Sequence, residues 1–189
     1  MESAVLEQEE VDDVRIPMSK QTFMNWNPDD GFLYEYDNGF AEQTSGTKKQ
    51  ERYITSNIQA KFVLTEACSR RAWLFGRSDI WVAKNQKRIP DMAFFTRDQI
   101  LDSADDKEPI PAFVVELISP SDRADKIETK VIEYFSAGVQ VIWHVFPALR
   151  MVRVFSSVKN SITHFEADTF DAAPVVPDLT MTVDELFAR

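Results

Sequence analysis

The sequence predicts one α/β domain with a central mixed β-sheet that is flanked by helices. An N-terminal helix and a β-hairpin precede this sheet. Residues 113–118 are almost wholly apolar, which is typical of a strand that helices cover on both faces. Apolar residues recur at helical spacing in residues 47–68 and 122–137. The 189 residues contain no repeat and no long linker. We therefore expect one domain over residues 18–189, preceded by an acidic, loosely held arm over residues 1–17.

The N-terminal part of the domain predicts a helix followed by a hairpin. Ser19 can cap a helix that runs through Trp26 and stops at Asn27-Pro28-Asp29-Asp30-Gly31. Two short strands, 32–36 and 40–43, follow. Asp37-Asn38-Gly39 separates them, and Asn-Gly accepts the positive φ angles of a tight turn.

The middle of the chain alternates between helix and strand patterns. Residues 47–68 predict one long helix, with Thr47 and Gln50 spaced as a capping box. The strand-like runs that follow are 72–75, 78–83 and 90–95, and Asn85-Gln86-Lys87 is expected to form a turn.

The rest of the chain contains the predicted centre of the sheet. The central strand is expected over 111–119, and Ser119-Pro120-Ser121-Asp122 should cap a helix that ends before Gly138. Residues 139–146 and 151–155 predict an antiparallel pair joined through Pro147. The C-terminal part is less regular and should end in a short helix near 183–187.

Composition limits the classes of function. The net charge is −10, and no basic run exceeds Lys48-Lys49 or Arg70-Arg71, which argues against avid DNA binding by the monomer. A local basic groove, a dimer, or an acidic site neutralised by metal all stay open. One cysteine, Cys68, and two histidines exclude a disulfide framework, a thiolate zinc site and a histidine-rich metal centre.

The apolar runs suggest where the protein is found. The longest are too short to span a bilayer, so no membrane association is expected. Residues 1–13 are acidic and lack the apolar core of a secretory signal. We expect a cytoplasmic protein.

Three carboxylates occupy unusual strand positions. Glu116 lies inside the apolar strand, where an ionised group is costly to bury without a partner, and the plain alternative is a pair with an arginine. Asp91 opens the strand 92–95, although an aspartate there is often only a turn residue. Asp79 stands in another strand, a position that aspartate normally avoids.

Lys130 adds a positive charge to this set. It lies at the border of the buried stripe of the helix that follows Glu116, and it can extend toward the sheet. The alternative is a solvated lysine that pairs with Glu133 or Asp122.

Several short motifs occur in an order that resembles a known family. They are Arg88-Ile89-Pro90-Asp91, Val114-Val115-Glu116-Leu117-Ile118-Ser119-Pro120-Ser121-Asp122, Lys130-Val131-Ile132-Glu133-Tyr134-Phe135, Ala137-Gly138-Val139, Ile142-Trp143-His144 and Pro147. Tyr34-Glu35-Tyr36 before Gly39 also fits. Over residues 19–187 the chain resembles the Uma-type endonuclease family, long catalogued as a domain of unknown function. That family belongs to the restriction-endonuclease-like superfamily with the PD-(D/E)xK site.

The resemblance implies a site for Mg²⁺ or Mn²⁺. Asp91, Glu116 and the Leu117 carbonyl would bind the cation, Lys130 would position water or offset phosphate charge, and Asp79 would be a further acidic member. Glu51, Glu35 and Tyr134 are additional candidates. The superfamily lysine would stand at residue 118, which is isoleucine, and the histidine often found near the start of the long helix is absent from residues 49–52.

Two functions follow as hypotheses. The first is a Mg²⁺-dependent endonuclease that hydrolyses phosphodiester bonds of DNA. The second is a nuclease-like binding or assembly module with little or no catalysis, working through a homodimer. His144 is interpreted as a packed strand histidine and not as a general base, and the four tryptophans as packing residues.

Overall fold

The computed structural model describes residues 14–44 and 49–189, with only the backbone described at Gln50. In chain order the strands are β1 (Arg15–Pro17), β2 (Leu33–Asp37), β3 (Phe40–Thr44), β4 (Trp73–Gly76), β5 (Ile80–Ala83), β6 (Gln86–Arg88), β7 (Met92–Phe95), β8 (Phe113–Leu117), β9 (Val141–Phe146), β10 (Met151–Ser157), β11 (Asn160–Phe165), β12 (Thr169–Ala172) and β13 (Val176–Thr182). The α-helices are α1 (Lys20–Met24), α2 (Arg52–Phe62), α3 (Glu66–Ser69), α4 (Arg97–Ala104), α5 (Ala124–Ala137) and α6 (Val183–Leu186).

The larger sheet has the strand order β11-β10-β9-β8-β7-β4. Strands β8 and β9 are parallel, and the other neighbours are antiparallel. A parallel pair needs a crossover, and α5 supplies it between β8 and β9. The sheet is therefore mixed.

Helices cover both faces of this sheet. Phe113 and Val115 of β8 belong to one buried cluster with Ile58 of α2. Val114, which points to the opposite face, belongs to a second cluster with Val131 of α5. This arrangement confirms the predicted fold class, because the apolar strand is buried on both faces as its sequence indicates.

A second sheet carries the N-terminal hairpin, in the strand order β1-β3-β2-β6-β5. Asn38 and Gly39 have φ angles of 44° and 100°, which confirms the predicted tight turn between β2 and β3. The Ser19 side chain caps α1 by accepting from the Thr22 N–H at 3.1 Å. Helix α1 ends at Met24, two residues before the predicted end.

The predicted arm covered residues 1–17, of which 1–13 lie outside the described residues. Arg15–Pro17 instead forms β1 and pairs with β3. The Arg15 guanidinium lies 2.7 Å from Glu42 on that strand, so main-chain pairing and opposite charge both hold this segment. These three residues therefore belong to the folded domain.

The long helix predicted over 47–68 is wrong as a single element. Thr47, which was expected to cap it, lies outside the described residues, and the helix is divided into α2 and α3. The Thr65 hydroxyl donates to the Phe62 carbonyl at 2.7 Å and accepts from the Cys68 N–H at 3.2 Å. One side chain thus satisfies main-chain groups at the end of α2 and at the start of α3.

Three smaller expectations also change. Gln86 and Lys87 lie in β6 and not in a turn, because β6 pairs with both β2 and β5. The N-cap of α5 is Arg123, without a side-chain cap, since Asp122 accepts from the Ser119 N–H instead. The C-terminal part forms β11, β12 and β13 before the short helix α6.

Within residues 14–44 and 49–189, none of the helices has the length and apolar character needed to cross a bilayer.

Candidate active site

Asp91 and Glu116 lie close together where two inner strands of the larger sheet, β7 and β8, begin and end respectively. Strand β7 runs antiparallel to β8 with Met92 opposite Val115, so Asp91, just before β7, lies beside the C-terminal end of β8. The Asp91 Oδ2 atom accepts from the Leu117 N–H at 2.8 Å. The two carboxylates are close enough for the charge of Asp91 to raise the pKa of Glu116.

Glu116 is a buried carboxylate with a perturbed pKa. Its exposed fraction is 7%, and its Oε1 accepts from the Tyr134 hydroxyl at 2.5 Å. Burial raises the pKa of Glu116 to about 7, and the charges of Asp91 and Glu35 add to the effect, while Lys130 and Tyr134 oppose it. A carboxyl group with this pKa exchanges its proton near neutral pH.

Lys130 extends from α5 into the same cluster. Its Nζ lies 2.8 Å from Glu35 Oε1 and 3.8 Å from Glu116 Oε1. Burial alone would lower the pKa of Lys130, but Glu116 and Glu35 raise it above its ordinary value. Lys130 therefore stays charged, and its partners are neither Glu133 nor Asp122, which were the expected alternatives.

Glu35 comes from the second sheet and anchors the lysine. It lies on β2 with an exposed fraction of 6%, and its Oε1 also accepts from the Ile89 N–H at 3.0 Å. Burial would raise the pKa of Glu35, but Lys130 and Arg88 together lower it. Glu35 is thus an ionised carboxylate that fixes one side of the Lys130 ammonium.

A second buried ion pair supports the cluster. Arg88 Nε and Nη2 donate to the two carboxylate oxygens of Glu133 at 2.7 and 2.8 Å, and Arg88 Nη1 donates to the Tyr36 carbonyl at 3.2 Å. This bidentate pair joins α5 to the second sheet. The sequence did not indicate it, although Arg88 and Glu133 both stand in the motifs that carry the family resemblance.

Most of the chain matches the model of one known protein family. Residues 21–184 match the family model "Uma2: Putative restriction endonuclease". The chain belongs to the Uma2 family. Its resemblance to that family, predicted from the sequence, is therefore confirmed, and the family is nuclease-like.

A solved structure shows the same fold. The crystal structure of "a putative nuclease belonging to DUF820" from Anabaena variabilis ATCC 29413 is similar to this Uma2 chain with a TM-score of 0.76. The similarity covers 91% of this chain and 98% of that one, at 19% sequence identity. Among curated proteins no match is found.

The structure places Asp79 of this Uma2 chain outside the cluster. Asp79 lies just before β5 and not inside the predicted strand. Its side chain is 60% exposed, and its Oδ2 lies 2.7 Å from Lys87 Nζ, so it forms an ion pair at the surface. Glu51 is half-buried at the end of the short 3-10 turn that precedes α2.

His144 lies beside Glu116 without joining its chemistry. The two residues are paired across β8 and β9, and His144 is 1% exposed with its ring 4.9 Å from the Phe155 ring. Burial, with Arg153 and Lys130, lowers the pKa of His144 to about 3. The ring is therefore neutral and packed at physiological pH.

The oxygen atoms of this Uma2 site are compatible with a hard cation. Within residues 14–44 and 49–189, no group of three His, Cys, Asp or Glu side chains is placed to hold a metal ion. Magnesium, however, is commonly bound by one or two carboxylates together with waters and substrate phosphates. Asp91 and Glu116 supply such a pair, and a cation beside them would offset the repulsion that raises the pKa of Glu116.

Proposed function

We propose that this chain is a Mg²⁺-dependent endonuclease that hydrolyses phosphodiester bonds of DNA, with Mn²⁺ able to replace Mg²⁺. The observation that carries the proposal is that Asp91, Glu116 and Lys130 lie together at the ends of β7 and β8, in a family whose description reads "Putative restriction endonuclease". A buried carboxylate with a pKa near 7, close to a second carboxylate, is typical of functional sites.

Each residue has a role that its contacts support. Asp91 and Glu116 would hold the cation, and the Leu117 carbonyl would contribute a further oxygen. When bound, the cation lowers the pKa of a water molecule and stabilises charge on the phosphate. Tyr134 orients Glu116 through its hydroxyl, and Glu35 keeps Lys130 charged and 3.8 Å from Glu116, where the ammonium can offset phosphate charge.

A second candidate function is a nuclease-like binding or assembly module with weak or no catalysis. The position of Lys130 favours it, because the ammonium is nearer to Glu35 than to Glu116. The net charge of −10 favours it as well. Such a module would bind a partner or dimerise without hydrolysing DNA.

Plasmid nicking distinguishes the two functions. Purified protein is incubated with supercoiled plasmid in Mg²⁺, in Mn²⁺ and in EDTA, and the variants Asp91→Asn, Glu116→Gln and Lys130→Met are compared with Asp79→Asn as a matched control. The nuclease proposal predicts nicking only with a divalent cation, and losses of about a hundredfold or more in the three site variants, the scale seen when one transition-state contact is removed. Wild-type rates in Asp91→Asn and Glu116→Gln contradict it, and the absence of nicking by the parent protein favours the module.

A further inference from the structure

A cleft of about 440 Å³ lies against Asp91, between α2 and the strands β4 and β7. Leu74 and Met92 contribute apolar surface to it, and Asp91 is the acidic residue in its lining. The cleft therefore borders Asp91, one of the two acidic residues of the candidate site. Its volume is in the range of natural ligand sites.

Helix α2 presents a stripe of hydrogen-bond donors to this cleft. Arg52, Thr55, Ser56 and Gln59 line it, at the i, i+3, i+4 and i+7 spacing that places side chains on one helix face. The opposite face packs into the core through Ile54, Ile58 and Phe62. The helix carries no acidic residue, although the chain as a whole is acidic.

Arg77 closes the other side of the cleft. It follows β4, is half-buried, and donates from its main-chain N–H to the Asp91 carbonyl at 3.1 Å. Its φ angle of 51° is rare for a residue other than glycine. The backbone of Arg77 is thus fixed beside the backbone of Asp91.

The charge of the cleft lining is opposite in sign to that of the whole chain. Arg52 and Arg77 are its basic residues, and Asp91 is its acidic one. The formal charge of the lining is therefore +1, against −10 for the full sequence. A positive lining favours an anionic ligand.

We propose that this cleft binds the phosphodiester backbone of the DNA strand that is cut, with Arg52 and Arg77 contacting phosphates next to Asp91. The inference rests on the proposed function and specifies where its substrate lies. Guanidinium groups, the Ser56 hydroxyl and the Gln59 amide are donors suited to phosphate oxygens, and contacts of this kind fix the position of DNA without reading its sequence. The cleft places the strand beside Asp91.

Binding without cleavage tests the cleft independently of catalysis. A short fluorescein-labelled DNA duplex is titrated in EDTA at several salt concentrations, with Arg52→Gln, Arg77→Gln and the control Arg97→Gln. Arg97, like Arg52, is an exposed first residue of a helix, but it lies on α4. Arg52→Gln and Arg77→Gln should each weaken binding about tenfold and lower the slope of log affinity against log salt by about one, while Arg97→Gln binds as the parent protein does.

Arg77→Lys separates the effect of charge from the effect of backbone strain, because lysine keeps the positive charge at the same positive φ angle. This variant should therefore retain the parental slope of log affinity against log salt. Parental affinity and slope in Arg52→Gln and Arg77→Gln overturn the proposal. A loss of DNA affinity in Arg97→Gln or in Arg77→Lys that equals the loss in Arg77→Gln also overturns it. The proposal is overturned as well if the parent protein shows no measurable binding. Because EDTA prevents metal-dependent cleavage, these results stand whether or not the plasmid assay shows a nuclease.

Discussion

Lys130 Nζ lies 2.8 Å from Glu35 and 3.8 Å from Glu116, so the lysine of the site is anchored by a carboxylate from the second sheet. Glu35 is contributed by β2, and Lys130 and Glu116 by α5 and β8. The N-terminal hairpin is thus part of the candidate site. Changes in the hairpin should therefore affect the chemistry at the ends of β7 and β8.

Removing the charge of Glu35 should show this dependence. Glu35→Gln leaves the half-buried Lys130 with one fewer anion, which should lower the free energy of unfolding by about 3 kcal/mol. Plasmid nicking should fall as well, because the ammonium is no longer fixed. Denaturant unfolding measures the first effect, with Asp125→Asn, in an exposed pair with Arg123, as the control. An unchanged midpoint in Glu35→Gln would show that the buried pair does not stabilise the fold.

The raised pKa of Glu116 predicts a pH-dependent stability. The folded protein keeps the proton up to about pH 7, whereas the unfolded chain loses it near 4.5, so the native state binds more protons between these values. The contribution of Glu116 is therefore complete below about pH 4.5 and is lost as pH rises through 7, a change on the order of 3 kcal/mol. The difference in unfolding free energy between the parent protein and Glu116→Gln should decrease over this window. A difference that does not vary with pH contradicts the assignment.

Tyr134→Phe should change the pH dependence of activity. Its hydroxyl bond to Glu116 lowers the pKa of that carboxyl, and removing it should raise the pKa further. Since a cation needs the ionised carboxylate, the rise of nicking rate with pH should move to higher pH. Tyr34→Phe, which loses a bond to the exposed Asp30, serves as the control and should leave the profile in place. Identical profiles for the parent protein and Tyr134→Phe would remove Tyr134 from the site.

Asp79→Asn should behave as a surface substitution. Its pair with Lys87 leaves the carboxylate 60% exposed, and exposed pairs contribute less than about 1 kcal/mol. Nicking and unfolding should both stay near the parental values, in contrast to Asp91→Asn. A loss of nicking in Asp79→Asn comparable to that in Asp91→Asn would return Asp79 to the site.

Local sequence patterns were sufficient for much of the fold. The Asn38-Gly39 turn, the apolar run of β8 and the stop at Gly138 each follow from short-range preferences that the structure retains. Short-range preferences did not predict the break at Thr65 between α2 and α3, because a threonine in a stretch of apolar periodicity occurs both inside helices and at their ends. Thr65 caps here because its hydroxyl donates to the carbonyl of Phe62, whose side chain is in the buried core.

The sequence predicted that Asp91, Glu116 and Lys130 would lie together, but it did not predict their contacts. Strand position and the family motifs indicated the two carboxylates, and the helix stripe and the same motifs indicated Lys130. The partners of Lys130 and Arg88 were not, because the Lys130–Glu35 contact joins residues 95 apart and the Arg88–Glu133 pair joins residues 45 apart. Such pairs are created by the docking of the second sheet on α5, and one sequence gives no direct signal for that docking.

The most direct test is a crystal of the protein soaked with Mn²⁺, with the ion located by anomalous scattering. The account predicts one site within coordination distance of carboxylate oxygens from both Asp91 and Glu116, and no site in a Glu116→Gln crystal treated in the same way. An ion bound elsewhere, or none, with Glu116 still held by Tyr134 and Lys130, would contradict it.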